Sequence, residues 1–269
     1  MTHPTEPNAV PGLSVAALRS VRRLTTRKGR DESGAFLVEG PQAVREALAC
    51  PGTVREVIVD DPARHADLLA GHDVPVRRAT EPQLRQLSDT VTPQGVMAVC
   101  EQPHHTWADL GQARLVVICA QVRDPGNAGT VIRCADAFGA DAVVLTTGSV
   151  ELHNPKTVRA SVGSLFHLPV ITGVTLADAV AHLHGLGLQV LAADGDGDPL
   201  DVLAHAGELS GPTAWVMGNE AWGLPADDVA LADRVVAVPM WGAAESLNLS
   251  TAAAICLYQT ASAQRRAIA

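Results

Sequence analysis

Apolar residues recur at helical spacing near the start of the chain, where Leu18, Val21 and Leu24 share one face of residues 17–30. That segment predicts an amphipathic helix running into a basic loop. Beyond it, apolar runs of strand length alternate with helical stretches: strand 36–38, helix 42–49, strand 54–59, helix 62–70, strand 74–77, helix 81–87 and strand 95–100. Residues 101–112, EQPHHTWADLGQ, carry neither period and hold a proline and a histidine pair, so they read as a linker. The alternation resumes with strand 115–120, helix 129–138, strand 142–145, helix 155–162, strand 168–171 and helix 176–184. Strands 189–193 and 214–217, a short helix 225–231, strand 235–238 and a long helix 247–264 complete it. This pattern predicts an α/β fold with parallel strand pairing. It divides the chain into a loose tail (1–13), a first domain (14–101), a linker (102–112) and a second domain (113–269).

Composition narrows the class. Of 269 residues, 47% are hydrophobic and 18% charged, enough apolar material for two cores. Aromatics are only 3%, which favours tight helix-on-sheet packing over large aromatic cages. No apolar run approaches the ~20 residues that cross a bilayer. The first twelve residues lack a basic-then-apolar secretory pattern. Five cysteines without a CxxC pair suit reduced thiols, so a cytoplasmic location with no membrane partner is expected.

Charge qualifies that picture. The net charge of −9 does not suggest a nucleic-acid binder, yet residues 1–110 carry 12 basic and 14 acidic side chains, against 8 and 15 in the remainder. Half of those 12 basic residues, Arg19, Arg22, Arg23, Arg27, Lys28 and Arg30, fall in one short run without an acid. Such a run reads either as a solvated helix face or as a track for a phosphate backbone.

Three loops at strand ends carry the candidate chemistry. In residues 122–133, VRDPGNAGTVIR, a turn opens a helix that Asn127 is placed to cap, with Arg133 one and a half turns further along. In residues 215–225, WVMGNEAWGLP, Glu220 stands among glycines at the end of a strand. In residues 235–258, a loop with Glu245, Ser246 and Asn248 precedes a helix of small residues, which Ser246 or Asn248 is placed to cap. Each is unremarkable alone; together they predict one site. Asp194, Asp196 and Asp198 begin like a calcium loop, but His205 stands where an EF-hand needs glutamate, and the histidines lack ligand spacing, so no metal is expected.

These three segments, N-A-G-T-V-I-R, M-G-N-E-A-W-G-L-P and V-P-M-W-G-A-A-E-S-L-N-L-S, resemble in order the motifs of the SpoU/TrmH class of SPOUT RNA ribose methyltransferases. Residues 154–170 resemble the stretch between motifs one and two. Residues 36–41 (FLVEGP) and 88–99 (SDTVTPQGVMAV) are similar to the L30-like substrate-binding module that precedes many such domains. Ala221 and Ala254 depart from the family by replacing common glycines.

The resemblance implies an N-terminal L30e-like α/β domain, and a C-terminal SPOUT domain with a deep trefoil knot that binds S-adenosylmethionine. It also implies a homodimer whose sites draw on both subunits. It assigns cofactor contacts to Thr146, Gly148, Gly218, Val238 and Leu247, and the reaction to Arg133, Asn127, Glu220, Ser246 and Asn248. A guanidinium stays protonated, so Arg133 suits orientation and electrostatic stabilisation rather than a general base. RNA contacts fall on Arg19, Arg22, Arg23, Arg27, Lys28 and Arg159. The implied activity is methylation of a ribose 2′-hydroxyl in structured RNA, with rRNA favoured over tRNA. An antibiotic-resistance rRNA methyltransferase of the same class and a non-catalytic RNA-binding or assembly protein on the same fold are the alternatives.

Overall fold

The computed structural model describes residues 10–268, and the chain divides after Pro103 into two compact units. Most of the expected tail, residues 1–9, lies outside the described residues. Its last residues are built into the first unit: Gly12 bridges to Arg78 and Leu13 is buried.

The first unit runs α1 (Val15–Arg23), α2 (Arg27–Ser33), β1 (Ala35–Glu39), α3 (Pro41–Ala49), β2 (Val54–Val59), α4 (Ala66–Leu69), β3 (Val76–Arg78), α5 (Glu81–Leu87) and β4 (Val96–Glu101). Residues 27–30 therefore begin a second helix rather than a basic loop, because the Thr26 hydroxyl caps its start at Gly29 N (3.2 Å) and Gly34 in the left-handed region ends it. The helix expected at 62–70 shrinks to four residues; side-chain bonds from Asp60 and Asp61 hold the preceding residues in a turn.

Strand order in this sheet is β1-β4-β2-β3, and the expected parallel pairing holds only between β2 and β3. The last strand inserts antiparallel between β1 and β2, which alternation of elements along the chain does not reveal. Leu13, Val21, Leu24, Leu84 and Leu87 cover one face with Leu37, Ile58, Met97 and Val99.

The second unit runs β5 (Leu115–Cys119), α6 (Pro125–Phe138), β6 (Ala142–Thr146), α7 (Pro155–Ser161), β7 (Val170–Val174), α8 (Leu176–Gly185), β8 (Gln189–Pro199), α9 (Leu200–His205), β9 (Thr213–Met217), α10 (Ala226–Val229), β10 (Arg234–Ala237) and α11 (Leu249–Ile268). Its six strands, ordered β10-β8-β9-β5-β6-β7, all pair in parallel. Central strands β5, β6 and β9 are buried at every position, as continuous apolar runs between helical layers require. Within residues 101–112, Trp107–Leu110 form a 3-10 turn, and Leu110 packs into this unit's core.

Two features were not legible. Helix α9 is only six residues long, and β8 extends well past residue 193. The β10 register jumps there, with Val235 facing Ala192 and Val236 facing Asp198, so residues 193–197 have no partner on β10. Gly197 permits this, since a Cβ would stand 2.4 Å from Val236 N. Helix α11 lies over β5 and β9 and against α6. Trp215 on β9 is fully buried and its indole donates to Thr260 Oγ1 at 2.9 Å; Gln264 donates to the carbonyls of Arg114 and Gly211. Trp215, the first residue of the second motif segment, is thus core. Small residues such as Ala253 let α11 approach the sheet.

Candidate active site

Loops at the C-terminal ends of β5, β8, β9 and β10 surround one cleft, where open parallel sheets place ligands. Its cavity volume is ≈ 480 Å³, within the roughly 300–1,000 Å³ of small-molecule sites. Met217, Val236, Val238, Leu247, Leu249 and Ala252 supply apolar wall. Asp194, Glu220 and Glu245 supply carboxylates, and among the described residues no Lys or Arg lines it. The bulge of β8 is what brings Asp194 and Gly195 to this wall.

The polar groups are joined. Asn248 Nδ2 donates to Asn127 Oδ1 at 3.0 Å, and Asn127 Nδ2 donates to Glu220 Oε1 at 3.1 Å. Glu220 also accepts from the backbone N–H groups of Arg123 (3.3 Å) and Asp124 (3.2 Å), at the start of α6 where orphan donors and the helix dipole favour an anion. Asn248 caps α11 through Ser250 N (3.0 Å) and Ser250 Oγ (2.6 Å), as one of the two expected caps.

The cap of α6 is Asp124, not Asn127. Pro125 takes the first helical position, so the helix starts four residues before the expected 129, and Asp124 Oδ1 accepts from Asn127 N at 2.8 Å. That bond, with the Lys156 ammonium 3.1 Å from its other oxygen, holds the Asp124 carboxyl below the usual aspartate range. Asn127 is left free to use its side chain in the network.

Gly218 and Asn219 shape the second loop. Asn219 and Gly223 exchange backbone hydrogen bonds at 2.9 Å, closing a turn, and Asn219 Nδ2 reaches Gln121 O at 2.6 Å. A Cβ on Gly218 would stand 2.6 Å from the Gly223 carbonyl carbon, so only glycine fits under this turn. Ala221 keeps a negative φ and loses nothing by replacing a glycine. Gln121 itself adopts φ +53°, a region sparsely used by non-glycine residues. Thr146 Oγ1 accepts from its N–H at 3.0 Å.

The structure therefore gathers Asn127, Glu220, Ser246 and Asn248 around the cleft, with Gly218, Val238 and Leu247 in its wall. Thr146 and Gly148 do not line it; they lie beside Gln121 and support the loop from behind. Arg133 is exposed on α6, outside the lining of its own cleft. Arg159 is half-buried on α7. Sequence reasoning missed Asp124, Gln121 and Asp194. An Asp-Pro pair before a helix would have signalled the first, whereas the others depend on backbone geometry.

In the first unit, Arg19 and Arg22 are exposed on α1. Arg23 pairs with Glu32, Arg27 lies 3.7 Å from Asp31, and Lys28 lies 3.8 Å from Glu32. The acids that follow the basic run thus fold back on it. Arg30 is buried, donating to Leu24 O at 2.9 Å, and is no part of a surface track. Among the described residues, no group of three or more His, Cys, Asp or Glu is placed to hold a metal, and no helix is long and apolar enough to cross a membrane. Burial pushes the thiols of Cys119 and Cys256 up to about 12.

Residues 114–258, just over half the chain, match the SpoU rRNA Methylase family. The chain belongs to this family. Residues 16–98 match the MRM3-like substrate binding domain. Among SpoU relatives, the 23S rRNA (guanosine(2553)-2′-O)-methyltransferase RlmP of Bacillus subtilis is 38% identical over 88% of this chain and 92% of its own. The 23S rRNA (uridine(2479)-2′-O)-methyltransferase of Streptomyces viridochromogenes is 29% identical over 88% and 85%. The crystal structure of the SpoU methyltransferase AviRb from that organism, in complex with AdoMet, superposes with a TM-score of 0.81 at 27% identity, covering 95% of this chain and 99% of that one.

Proposed function

We propose that this SpoU protein methylates a ribose 2′-hydroxyl of ribosomal RNA, with S-adenosylmethionine as the methyl donor. The observation that carries the reading is the acidic cleft closed by the Asn248–Asn127–Glu220 chain. Three carboxylates without a basic side chain suit a cationic sulfonium, and the apolar wall suits an adenosine ring. A dinucleotide pyrophosphate would be repelled there. The rRNA methyltransferase relatives and the substrate-binding match favour rRNA over tRNA.

Gly218, Val238 and Leu247 are the wall that would hold the donor, with Thr146 and Gly148 supporting it through Gln121. The donor supplies an electrophilic methyl group. This chain must align the 2′-oxygen with it and stabilise the alkoxide that develops as the proton leaves. Asn127, Ser246 and Asn248 position the ribose. Glu220, already accepting three hydrogen bonds, acts chiefly as the clamp that fixes Asn127 and the start of α6. The Arg133 guanidinium, being permanently charged, stabilises the alkoxide.

Arg133 lies outside its own cleft, which favours a homodimer in which it serves the cleft of a second copy. The same reading takes the C-terminal unit to be trefoil-knotted, the first to be an L30-like RNA-binding module of residues 14–101, and the protein to act in the cytoplasm without membrane or metal. RNA would meet Arg19, Arg22, Arg23, Arg27 and Lys28 in the first unit and Arg159 in the second. The test is calorimetric titration with S-adenosylmethionine, followed by incubation with labelled donor and unmodified rRNA and mapping of ribose methylation. Binding with transfer to one site is the expected result; neither binding nor transfer to any RNA would overturn the reading.

A further inference from the structure

Trp222 is 47% exposed although tryptophan is a residue that folding normally hides, and it stands between Ala221 and Gly223, both of which line the cleft. The turn presenting it is rigid: Asn219 and Gly223 exchange two backbone bonds at 2.9 Å, and Ala221 N donates to Asn219 Oδ1 at 2.8 Å. The Arg123 guanidinium lies 4.8 Å from the ring centroid, within cation–π range. Arg123 is itself held through its N–H by Glu220. Glu220, which orders the cleft, thus anchors the backbone of the residue whose guanidinium faces the indole, in a chain with few aromatics to spare.

From this arrangement we propose that Trp222, backed by Arg123, is a stacking platform for the base of the nucleotide whose ribose enters the cleft. The inference rests on the methyl-transfer reading above. Base and ribose are one covalent unit, so a sugar held beside Asn127 and Asn248 puts its base within reach of the rim. An extruded base loses its stacking neighbours, and an aromatic ring with an arginine plane replaces them without regard to base identity. Trp222 is a substrate-positioning residue in this scheme; it exchanges no proton.

The probe is unmodified 23S rRNA transcribed in vitro. Trp222→Ala should raise the KM for RNA by about tenfold or more, leave S-adenosylmethionine affinity unchanged, and be rescued by Trp222→Phe. Tryptophan emission should also be quenched when RNA binds wild-type protein, with that quench reduced in Trp222→Phe at equal RNA occupancy. An unchanged KM in Trp222→Ala, failed rescue by Phe, or a quench indifferent to residue 222 overturns the platform, while an active wild-type enzyme leaves the methyl-transfer reading standing. If wild-type protein transfers no methyl group to any RNA, that reading fails, and the difference in quench between wild type and Trp222→Phe decides the platform by itself.

Discussion

The side-chain amide of Asn248 donates to the side-chain oxygen of Asn127 at 3.0 Å, although 121 positions separate them in the chain. This contact ties the loop before the last helix to the start of α6, and Asn127 passes it on to Glu220. Replacing Asn248 by Ala should lower kcat about 100-fold, the scale of losing one preorganised hydrogen-bonding group, and cost about 1 kcal/mol of stability through the lost cap of α11. Asn127→Asp should be worse than Asn127→Ala, because it faces the Glu220 carboxylate with a second negative charge. Steady-state methyl transfer on the purified variants checks both.

Arg133→Ala should abolish turnover while donor binding, measured calorimetrically, stays within about twofold. Arg133→Lys restores the charge as a compact ammonium without the planar fork and should recover only part of the rate. Mixing Arg133→Ala with a cleft-dead Asn248→Ala protein should regenerate some activity if sites are shared between copies; no recovery in verified mixed dimers would argue for a site within one chain.

Asp124→Ala removes the cap of α6 and should cost about 1 kcal/mol of stability in urea unfolding. The bond from Asn127 N and the nearby Lys156 lower the Asp124 carboxyl from its ordinary value of 3.8. A lowered folded value means this contribution is complete above about pH 4 and is lost as pH falls below it. The gap between wild type and Asp124→Ala should therefore narrow only below that pH.

Gly218→Ala should be far more damaging than its single methyl suggests. The added Cβ meets the Gly223 carbonyl carbon at 2.6 Å, so the turn from Asn219 to Gly223 must open. Donor binding should be lost while the far-UV spectrum stays native; an alanine variant that binds normally would refute this account.

Arg19→Ala with Arg22→Ala should reduce the dependence of RNA affinity on salt more than Arg23→Ala with Lys28→Ala, because the latter two already face Glu32. Binding isotherms at several salt concentrations separate the pairs.

Much of this site could be read before any coordinates. The three loops, their order and most of their polar residues are local patterns, and strand 115–119 follows from a continuous apolar run. What the sequence hid depends on distant pairing. Asp194 enters the cleft where β8 bulges against β10, and β4 pairs antiparallel with β1 and β2, both distant from it in the chain. Likewise Arg30 looks like surface charge until its guanidinium is seen to satisfy the Leu24 carbonyl.

Helix α11 covers β5 and β9, the central pair of the second sheet, and β5 is the first strand of that unit to be synthesised. Until α11 has been made, the face of β5 and β9 that it covers lacks its apolar partner. Closure of the unit therefore waits on its last-made helix, and chains halted before residue 249 should aggregate where the full chain stays in solution.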